Sequence, residues 1–114
     1  MINIICSSRY KIERKKIRSF TNQLLKDKGV IYNFDLNIIF VGKNKMRQIS
    51  QKYKQENVAL PVLSFAYNQK QEDKIFLGEI FICYPQAVLL AAQRNKKVDD
   101  IIVSLIKHGL DSIV

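Results

Sequence analysis

The last turn of a predicted C-terminal helix carries the residues best suited to metal chemistry. His108 is the only histidine in the chain, and Asp111 and Ser112 follow it three and four residues later. Side chains at that spacing are neighbours on a helix surface. Hydrolytic zinc needs three protein ligands and a bound water, and here Asp111 is the one candidate for a second ligand while Ser112 is a poor ligand. The alternative is a partly buried histidine on a core-facing stripe with Ile101 and Leu105, satisfied by a backbone carbonyl.

Ser64 and two cysteines are the remaining side chains with nucleophilic chemistry. Ser64 lies in an apolar strand-like segment in which no base neighbours it in sequence, so nucleophilic catalysis has no support there. Cys6 and Cys83 are far apart and match no metal-ligand spacing, which indicates reduced, buried thiols. We interpret Cys83 as a small core residue.

Positive charge is the strongest signal in the composition. The chain has 19 Lys and Arg residues against 10 Asp and Glu residues, which gives a formal net charge of +9. This balance favours polyanionic partners, because binding a nucleic acid releases its counterions. The alternatives are a solvated helix surface and a basic composition inherited from a low-GC genome.

The basic residues are concentrated on the first two predicted helices. We interpret them as one basic face that contacts the backbone of a nucleic acid. The sequence has no aromatic RNA-recognition signature, so the signal concerns phosphates and not bases. The predicted RNA-binding residues are Arg14, Lys15, Lys16, Arg18, Arg47, Lys52 and Lys54.

Hydrophobic periodicity predicts eight elements in the order β-α-β-α-β-β-α-α. Strands are predicted at residues 2–6, 34–40, 62–65 and 75–83, and helices at 11–27, 46–53, 85–94 and from 98 onward. The polar segment 68–74 predicts a hairpin-like loop between the last two strands. This order favours a single α+β domain over residues 1–114, with helices packed on a four-stranded mixed sheet.

Two observations bear on location. No apolar stretch is long enough to span a bilayer. The first residues also lack the basic region and long apolar run of a signal peptide. We therefore expect a cytoplasmic protein without membrane partners.

Three short motifs occur in order along the chain. The first joins residues 46–54 to Val-Leu-Ser-Phe at 62–65, the second is Leu-Gly-Glu-Ile at 77–80, and the third is His-Gly at 108–109. Together they resemble the YbeY family of bacterial endoribonucleases, whose members carry Leu-Asn-x-x-Tyr-Arg, Val-Leu-Ser-Phe, Leu-Gly-Asp-Ile and His-Gly-x-x-His stretches. The resemblance extends from the N-terminal strand to the last residue.

The resemblance implies a zinc-dependent endoribonuclease, specific for single strands, that acts in ribosomal RNA maturation and ribosome quality control. Ribosomal RNA or the ribosome is then the expected partner. Family members hold zinc through three histidines, of which His108 matches the first, Ser112 occupies the second position, and the third falls beyond Val114. The metal-binding helix and tail are therefore expected to be incomplete. Zinc is the cofactor that the resemblance implies, and the alternative is that this chain binds none.

Other positions also depart from the family pattern. Lys54 replaces an arginine, which preserves the charge but loses the planar fork that grips a phosphate through two hydrogen bonds. Glu79 stands in place of an aspartate, and residues 59–61 replace a Pro-Thr-Asp or Pro-Thr-Asn stretch. The resemblance makes Lys54 and Ser64 the candidate catalytic residues.

Three functions are compatible with the sequence. The first is a metal-dependent endoribonuclease in a shortened form. The second is a catalytically inactive relative that binds RNA or the ribosome through its basic face. The third is a protein interaction domain that self-associates through apolar surface exposed on the final helix, between Ile101 and Val114.

Overall fold

The predicted α+β architecture and its element order are confirmed. The computed structural model describes all residues from 1 to 114. The elements are β1 (Ile2–Ile5), α1 (Arg14–Asp27), β2 (Phe34–Val41), α2 (Lys43–Lys54), β3 (Val62–Gln71), β4 (Lys74–Cys83), α3 (Tyr84–Arg94) and α4 (Val98–Asp111).

The four strands form one mixed sheet in the order β1-β2-β4-β3. β1 pairs with β2 in parallel, and β2 pairs with β4 in parallel. β3 and β4 are antiparallel, so the hairpin places β3 at one edge of the sheet and β1 at the other. The pairing brings Ile38 of β2 beside Ile80 of β4, and both side chains are fully buried.

The main core lies on one face of this sheet. α1, α3 and α4 bury their apolar residues there against alternate residues of the strands. Ile17 of α1, Ala87 of α3 and Ile106 of α4 belong to the same cluster as Ile38 and Ile80. Three of the four helices therefore cover a single face.

α2 lies on the opposite face of the sheet. Met46 and Ile49 of α2 pack with Leu63 of β3 and Cys83 of β4 in a separate, smaller cluster. Successive side chains of a strand point to opposite faces, so Cys83 and the adjacent Ile82 belong to different cores. The two lysine-rich helices are thus separated by the sheet, and the single basic face expected from the sequence is divided in two.

Local sequence signals account for several element ends. Gly29 has a φ of +84° just after α1, a conformation that glycine adopts without strain. Pro85 lies in the first turn of α3, where no backbone N–H donor is needed. Asp99 and Asp100 lie in the first turn of α4, where negative charge is favourable.

The hairpin connection predicted at residues 68–74 is confirmed, but most of these residues belong to the strands and not to a loop. β3 continues to Gln71 and β4 begins at Lys74, so only a tight turn with Glu72 at a φ of 53° separates them. The pairing shifts between Ala66 and Gln69, which marks a bulge. Polar side chains obscured these strand ends in the sequence because they belong to an edge strand that faces solvent.

The final helix and one cysteine also differ from expectation. Ile102, Ile106, Leu110 and Ile113 are buried, so α4 does not expose the apolar surface that the self-association hypothesis requires. Cys83 is buried as predicted, but Cys6 is only half-buried; both are free thiols. None of the four helices is both long and apolar enough to cross a membrane.

Candidate functional site

His108 lies in the last turn of α4 with its side chain exposed. The interpretation of this histidine as a partly buried residue on the core-facing stripe is therefore wrong. The adjacent Gly109 is what faces the core: a Cβ atom there would lie 3.0 Å from Cγ2 of Ile80. The close approach of α4 to β4 is thus made by the glycine, and it leaves the imidazole on the outer flank of the helix.

The neighbours of His108 do not complete a zinc site. Asp111 accepts a 2.6 Å hydrogen bond from Lys28 at the end of α1, and this bond lowers the pKa of the Asp111 carboxyl. Ser112 is exposed at the C-cap of α4. Residues 1–114 contain no group of three His, Cys, Asp or Glu side chains placed to hold a metal ion. The residues present therefore do not fit the three-ligand zinc that the resemblance implies.

Ser64 and Lys54 lie on different sides of the sheet. Ser64 of β3 is half-buried and pairs with Ile80, so it is on the face covered by α4. Lys54 is exposed at the end of α2, the helix that packs on the other face. No ion pair involves Lys54 or His108. Ser64 is thus on the α4 side of the sheet. The structure does not bring Ser64, Lys54 and His108 together at a single site.

On α1, part of the predicted RNA-binding set is already engaged within the protein. Arg14 donates hydrogen bonds to the carbonyl oxygens of Ile4 at 2.6 Å and Cys6 at 3.4 Å, and so secures the end of β1. Lys16 lies 3.7 Å from Asp100. Lys15 and Arg18 border a shallow polar depression on the outside of the helix, lined also by Ser19, Asn22, Gln23 and Lys26.

On α2, Lys45 and Lys52 border a groove between the helix and the sheet, whereas Arg47 borders a neighbouring polar depression. Lys52 lies over the ring of Tyr53, 5.3 Å from its centroid, and Arg47 donates a 3.4 Å hydrogen bond to Asn44. The groove has a volume of about 370 Å³. It is lined by Lys45, Gln48, Ile49, Lys52, Tyr53, Phe65, Tyr67, Glu79 and Phe81.

The residues that form the floor of this groove were not among the RNA-binding residues predicted from the sequence. Phe65 and Tyr67 of β3, and Glu79 and Phe81 of β4, are two residues apart on their strands and therefore share a face. The hairpin register sets Phe65 opposite Glu79. Alternation along each strand was the available signal, but the antiparallel register that brings the two pairs together is a tertiary property.

Aromatic contacts define the shape of the floor. The rings of Tyr53 and Phe65 meet edge to face at 4.9 Å, and those of Phe65 and Phe81 at 5.7 Å. Tyr67 stacks on Phe76 with a centroid distance of 5.2 Å. Aromatic pairs prefer such edge-to-face and offset-stacked arrangements, so these contacts favour the ring orientations that give the groove its apolar surface.

Glu79 is the one carboxylate in the groove. Its Oε1 accepts a 3.3 Å hydrogen bond from the Tyr67 hydroxyl, and its Oε2 accepts a 3.2 Å bond from Nδ2 of Asn37. Burial, and then the charge of Glu79, raises the pKa of Tyr67, which keeps the phenol protonated as a donor. The groove thus combines lysines at its rim, aromatic rings in its floor and one ordered carboxylate.

Comparison with known proteins places this fold among described relatives. A family model described as Endoribonuclease YbeY matches residues 3–110. The endoribonuclease YbeY of Thermodesulfovibrio yellowstonii is 30% identical over 110 residues, covering 96% of this chain and 65% of the relative. That of Phytoplasma australiense is 32% identical over 81 residues, covering 68% of this chain and 56% of the relative. The chain thus spans less than two thirds of the length of each of these relatives.

A solved structure supports the same fold. The solution structure of a Thermotoga maritima protein covers 96% of this chain and 69% of its own, with a TM-score of 0.61 and 20% sequence identity. At that identity the likeness concerns the arrangement of helices and strands alone.

Proposed function

The chain belongs to the YbeY endoribonuclease family, and on that premise we propose that residues 1–114 bind single-stranded RNA along α2. Ribosomal RNA, free or within the ribosome, is the proposed partner, as the family resemblance implies. Under this proposal, RNA binding and not cleavage is the activity that these residues perform unaided.

The groove beside α2 is the observation that carries the proposal. Lys45 and Lys52 border it, while Tyr53, Phe65 and Phe81 offer aromatic surface within it. Lysines that track a phosphate backbone and rings on which bases stack are the two features that single-strand binding surfaces combine. The net charge of +9 adds long-range attraction for a polyanion.

A second polar depression continues from the groove along the outside of α2. Lys52 and Gln48 line both, and the second is completed by Asn44, Arg47, Gln51 and Asn57. These side chains offer cationic and amide donors, and no hydrophobic residue lies among them, which suits phosphate and sugar contacts. A strand of RNA would therefore have bases on the aromatic side of α2 and backbone on the polar side.

The second candidate function is zinc-dependent RNA cleavage, the activity named for the family. The exposed position of His108 favours it, because an accessible imidazole is free to bind a metal ion. The absence of a second and third suitable ligand around it weighs against cleavage by residues 1–114. If zinc were held with further ligands, it would supply an activated water as the nucleophile.

Binding and cleavage can be separated in one experiment. The protein is titrated into a fluorescein-labelled single-stranded fragment of ribosomal RNA, and anisotropy is recorded between about 50 and 200 mM salt. The same mixtures, with added zinc or with chelator, are then resolved on a denaturing gel. We expect salt-sensitive binding with intact RNA in both mixtures.

Two outcomes would contradict this expectation. Absence of binding at the lowest salt would remove the RNA-binding proposal. Cleavage that requires zinc and disappears in His108→Ala would instead establish the second candidate function. A matched control is Lys107→Ala, which alters an exposed neighbour on α4 and leaves the imidazole in place.

A further inference from the structure

A chain of side-chain hydrogen bonds crosses the open part of the sheet and ends at Glu79. Asn3 of β1 donates to Oδ1 of Asn37 of β2 at 3.0 Å, and Nδ2 of Asn37 donates to Glu79 of β4 at 3.2 Å. Tyr67 of β3 donates to the other carboxylate oxygen. All four strands therefore contribute one polar side chain to a single row.

The row fixes the direction of each hydrogen bond. Because the Asn37 carbonyl accepts from Asn3, its amino group is turned toward Glu79. The Tyr67 hydroxyl, with its raised pKa, remains a donor. Glu79 receives two donors from within the protein and keeps unused lone pairs on both oxygens, since a carboxylate has about four acceptor sites. A ligand in the groove therefore meets a carboxylate that is held in place by two hydrogen bonds and can itself only accept.

The surroundings of Glu79 suit a flat, partly apolar ligand with a polar edge. Tyr53, Phe65 and Phe81 line the same groove and provide ring faces and edges. Its volume of about 370 Å³ is within the range of small-molecule sites. Lys45 and Lys52 at the rim are complementary in charge to phosphates on either side of such a ligand. An RNA base in a single strand has this combination of properties.

We propose that this groove is a base-recognition pocket in which Glu79 selects guanine. The inference rests on the proposed function and names the base that the RNA-binding surface prefers. The Watson–Crick edge of guanine presents two adjacent donors, N1–H and the N2 amino group, which match the two oxygens of one carboxylate. Single-stranded RNA leaves that edge free to be read.

The other bases match the carboxylate less well. Adenine and cytosine each present one amino donor beside a ring nitrogen acceptor, so one carboxylate oxygen faces a lone pair. Uracil presents a single N–H between two carbonyl oxygens, and the negative carboxylate repels both of these oxygens. The expected order of affinity is therefore guanine first, then adenine and cytosine, and uracil last.

The test compares four labelled oligonucleotides by fluorescence anisotropy: octauridylate, and octauridylate with one central guanosine, adenosine or cytidine. A two-donor contact to a base discriminates by about tenfold, so we expect the guanosine oligonucleotide to bind about that much more tightly than octauridylate. Glu79→Gln should abolish this preference, because the amide retains one acceptor oxygen and adds a donor. Overall affinity for octauridylate should not fall, since a negative charge has been removed.

The matched control is Glu56→Gln, which makes the same charge change at an exposed residue just after α2. It should keep the guanine preference. Tyr53→Leu, a change at a half-exposed ring, should weaken all four oligonucleotides alike by removing a stacking surface. Circular dichroism would reveal whether Glu79→Gln disturbs the sheet. If it does, Tyr53→Leu still tests whether RNA binds in this groove.

The failures of the two proposals are distinguishable. Equal affinity for all four oligonucleotides in the unmodified protein would overturn guanine selection and leave RNA binding intact. A guanine preference that survives in Glu79→Gln would likewise overturn the assignment to this residue. Absence of binding to every oligonucleotide at low salt would overturn RNA binding itself.

Discussion

At the scale of single residues, similar side chains have different tasks because their surroundings differ. Arg14 and Lys15 are adjacent on α1, yet the guanidinium of Arg14 satisfies two backbone carbonyls whereas Lys15 points to solvent. Lys28 is likewise committed to Asp111. Charge counted from the sequence therefore overstates the charge that is free to meet a polyanion.

Arg14→Ala should destabilise the fold more than it weakens RNA binding. The substitution leaves the carbonyls of Ile4 and Cys6 without their charged donor, and hydrogen bonds to charged groups contribute about 1.5–3 kcal/mol. Urea denaturation should show a loss of that size. Lys15→Ala is the control and should change the unfolding free energy by less than about 0.5 kcal/mol; equal losses in both variants would show that Arg14 has no structural role.

Ser50→Ala should stabilise the protein. The Ser50 side chain is fully buried on α2 and its Oγ has no hydrogen-bond partner. An unpaired buried hydroxyl costs about 1–3 kcal/mol by mutational measures, and alanine is also the better helix former. The midpoint of urea unfolding should rise in Ser50→Ala but not in Ser104→Ala, because the hydroxyl of the exposed Ser104 already donates to the carbonyl of Ile101. An unchanged or lower midpoint in Ser50→Ala would contradict the expectation.

At the scale of elements, the β3–β4 hairpin organises the candidate site. It supplies the groove floor on one face and packs against α4 on the other. Gly78 allows the two strands to pair closely, because a Cβ atom at that position would overlap the carbonyl oxygen of Phe65. At Gly109, where α4 meets β4, an added Cβ atom would contact the side chain of Ile80 and not the backbone.

Gly78→Ala should therefore cost more stability than Gly109→Ala. Forcing a methyl group against backbone costs about 1–3 kcal/mol, and here it would also disturb the groove. At Gly109 the nearest atom belongs to the Ile80 side chain, which can shift, and alanine adds about 1 kcal/mol of helix propensity. Thermal unfolding of the two variants tests the order, and a larger loss in Gly109→Ala would contradict it.

The tip of the hairpin is tied to β2 by a pH-sensitive ion pair. Lys74 lies 2.7 Å from Asp35, and its hydrogen bond lowers the pKa of Asp35 below the ordinary value of 3.8. The contribution of the pair to stability is then fully present above that ordinary value and is lost as the pH falls through the lower pKa of the folded state.

Asp35→Asn should accordingly be less stable than the unmodified protein at neutral pH, and the difference should shrink as the pH is lowered below about 4. Urea denaturation at a series of pH values measures it. Asp73→Asn, at an exposed turn residue without an ion pair, should show no such convergence. A difference between Asp35→Asn and the unmodified protein that is independent of pH would show that the carboxylate is not the source of the stabilisation.

At the scale of the whole molecule, the sheet divides the positive charge between two surfaces. α1 packs in the main core and α2 in the smaller one on the opposite face. The groove beside α2 combines lysines with aromatic rings and an ordered carboxylate, whereas the depression on the outside of α1 is lined by polar side chains. A single-stranded ligand with bases would gain more from that groove than from the polar depression on α1.

The salt dependence of RNA affinity should report this asymmetry. Each phosphate contact to a single strand contributes about 0.7 to the slope of log affinity against log salt. Replacing both Lys45 and Lys52 by alanine should reduce the slope by about 1.4, which is two such contacts. Replacing Lys15 and Lys26 on α1 removes the same charge and should leave the slope nearly unchanged; equal reductions would show that RNA contacts both faces.

Local patterns in the sequence determined the elements and the family. Three- and four-residue spacing located α2 and α4, alternation located β2, and Gly29 and Pro85 marked element ends, because these signals arise between residues close in the chain. The ordered motifs ending in His108 pointed to the YbeY family, and the family model bears this out.

Tertiary structure alone decided how these elements combine. The sequence of an amphipathic helix shows which side of the helix is buried but not which face of a sheet the helix covers. The face depends on the strand order and on the connections between strands and helices. The separation of α1 from α2, the exposure of His108 and the meeting of Tyr53, Phe65 and Glu79 all follow from such non-local packing. Pairing between β3 and β4 brought the groove together. Alternation within each strand indicates which residues share a face, but the register also depends on the turn and on the bulge between Ala66 and Gln69.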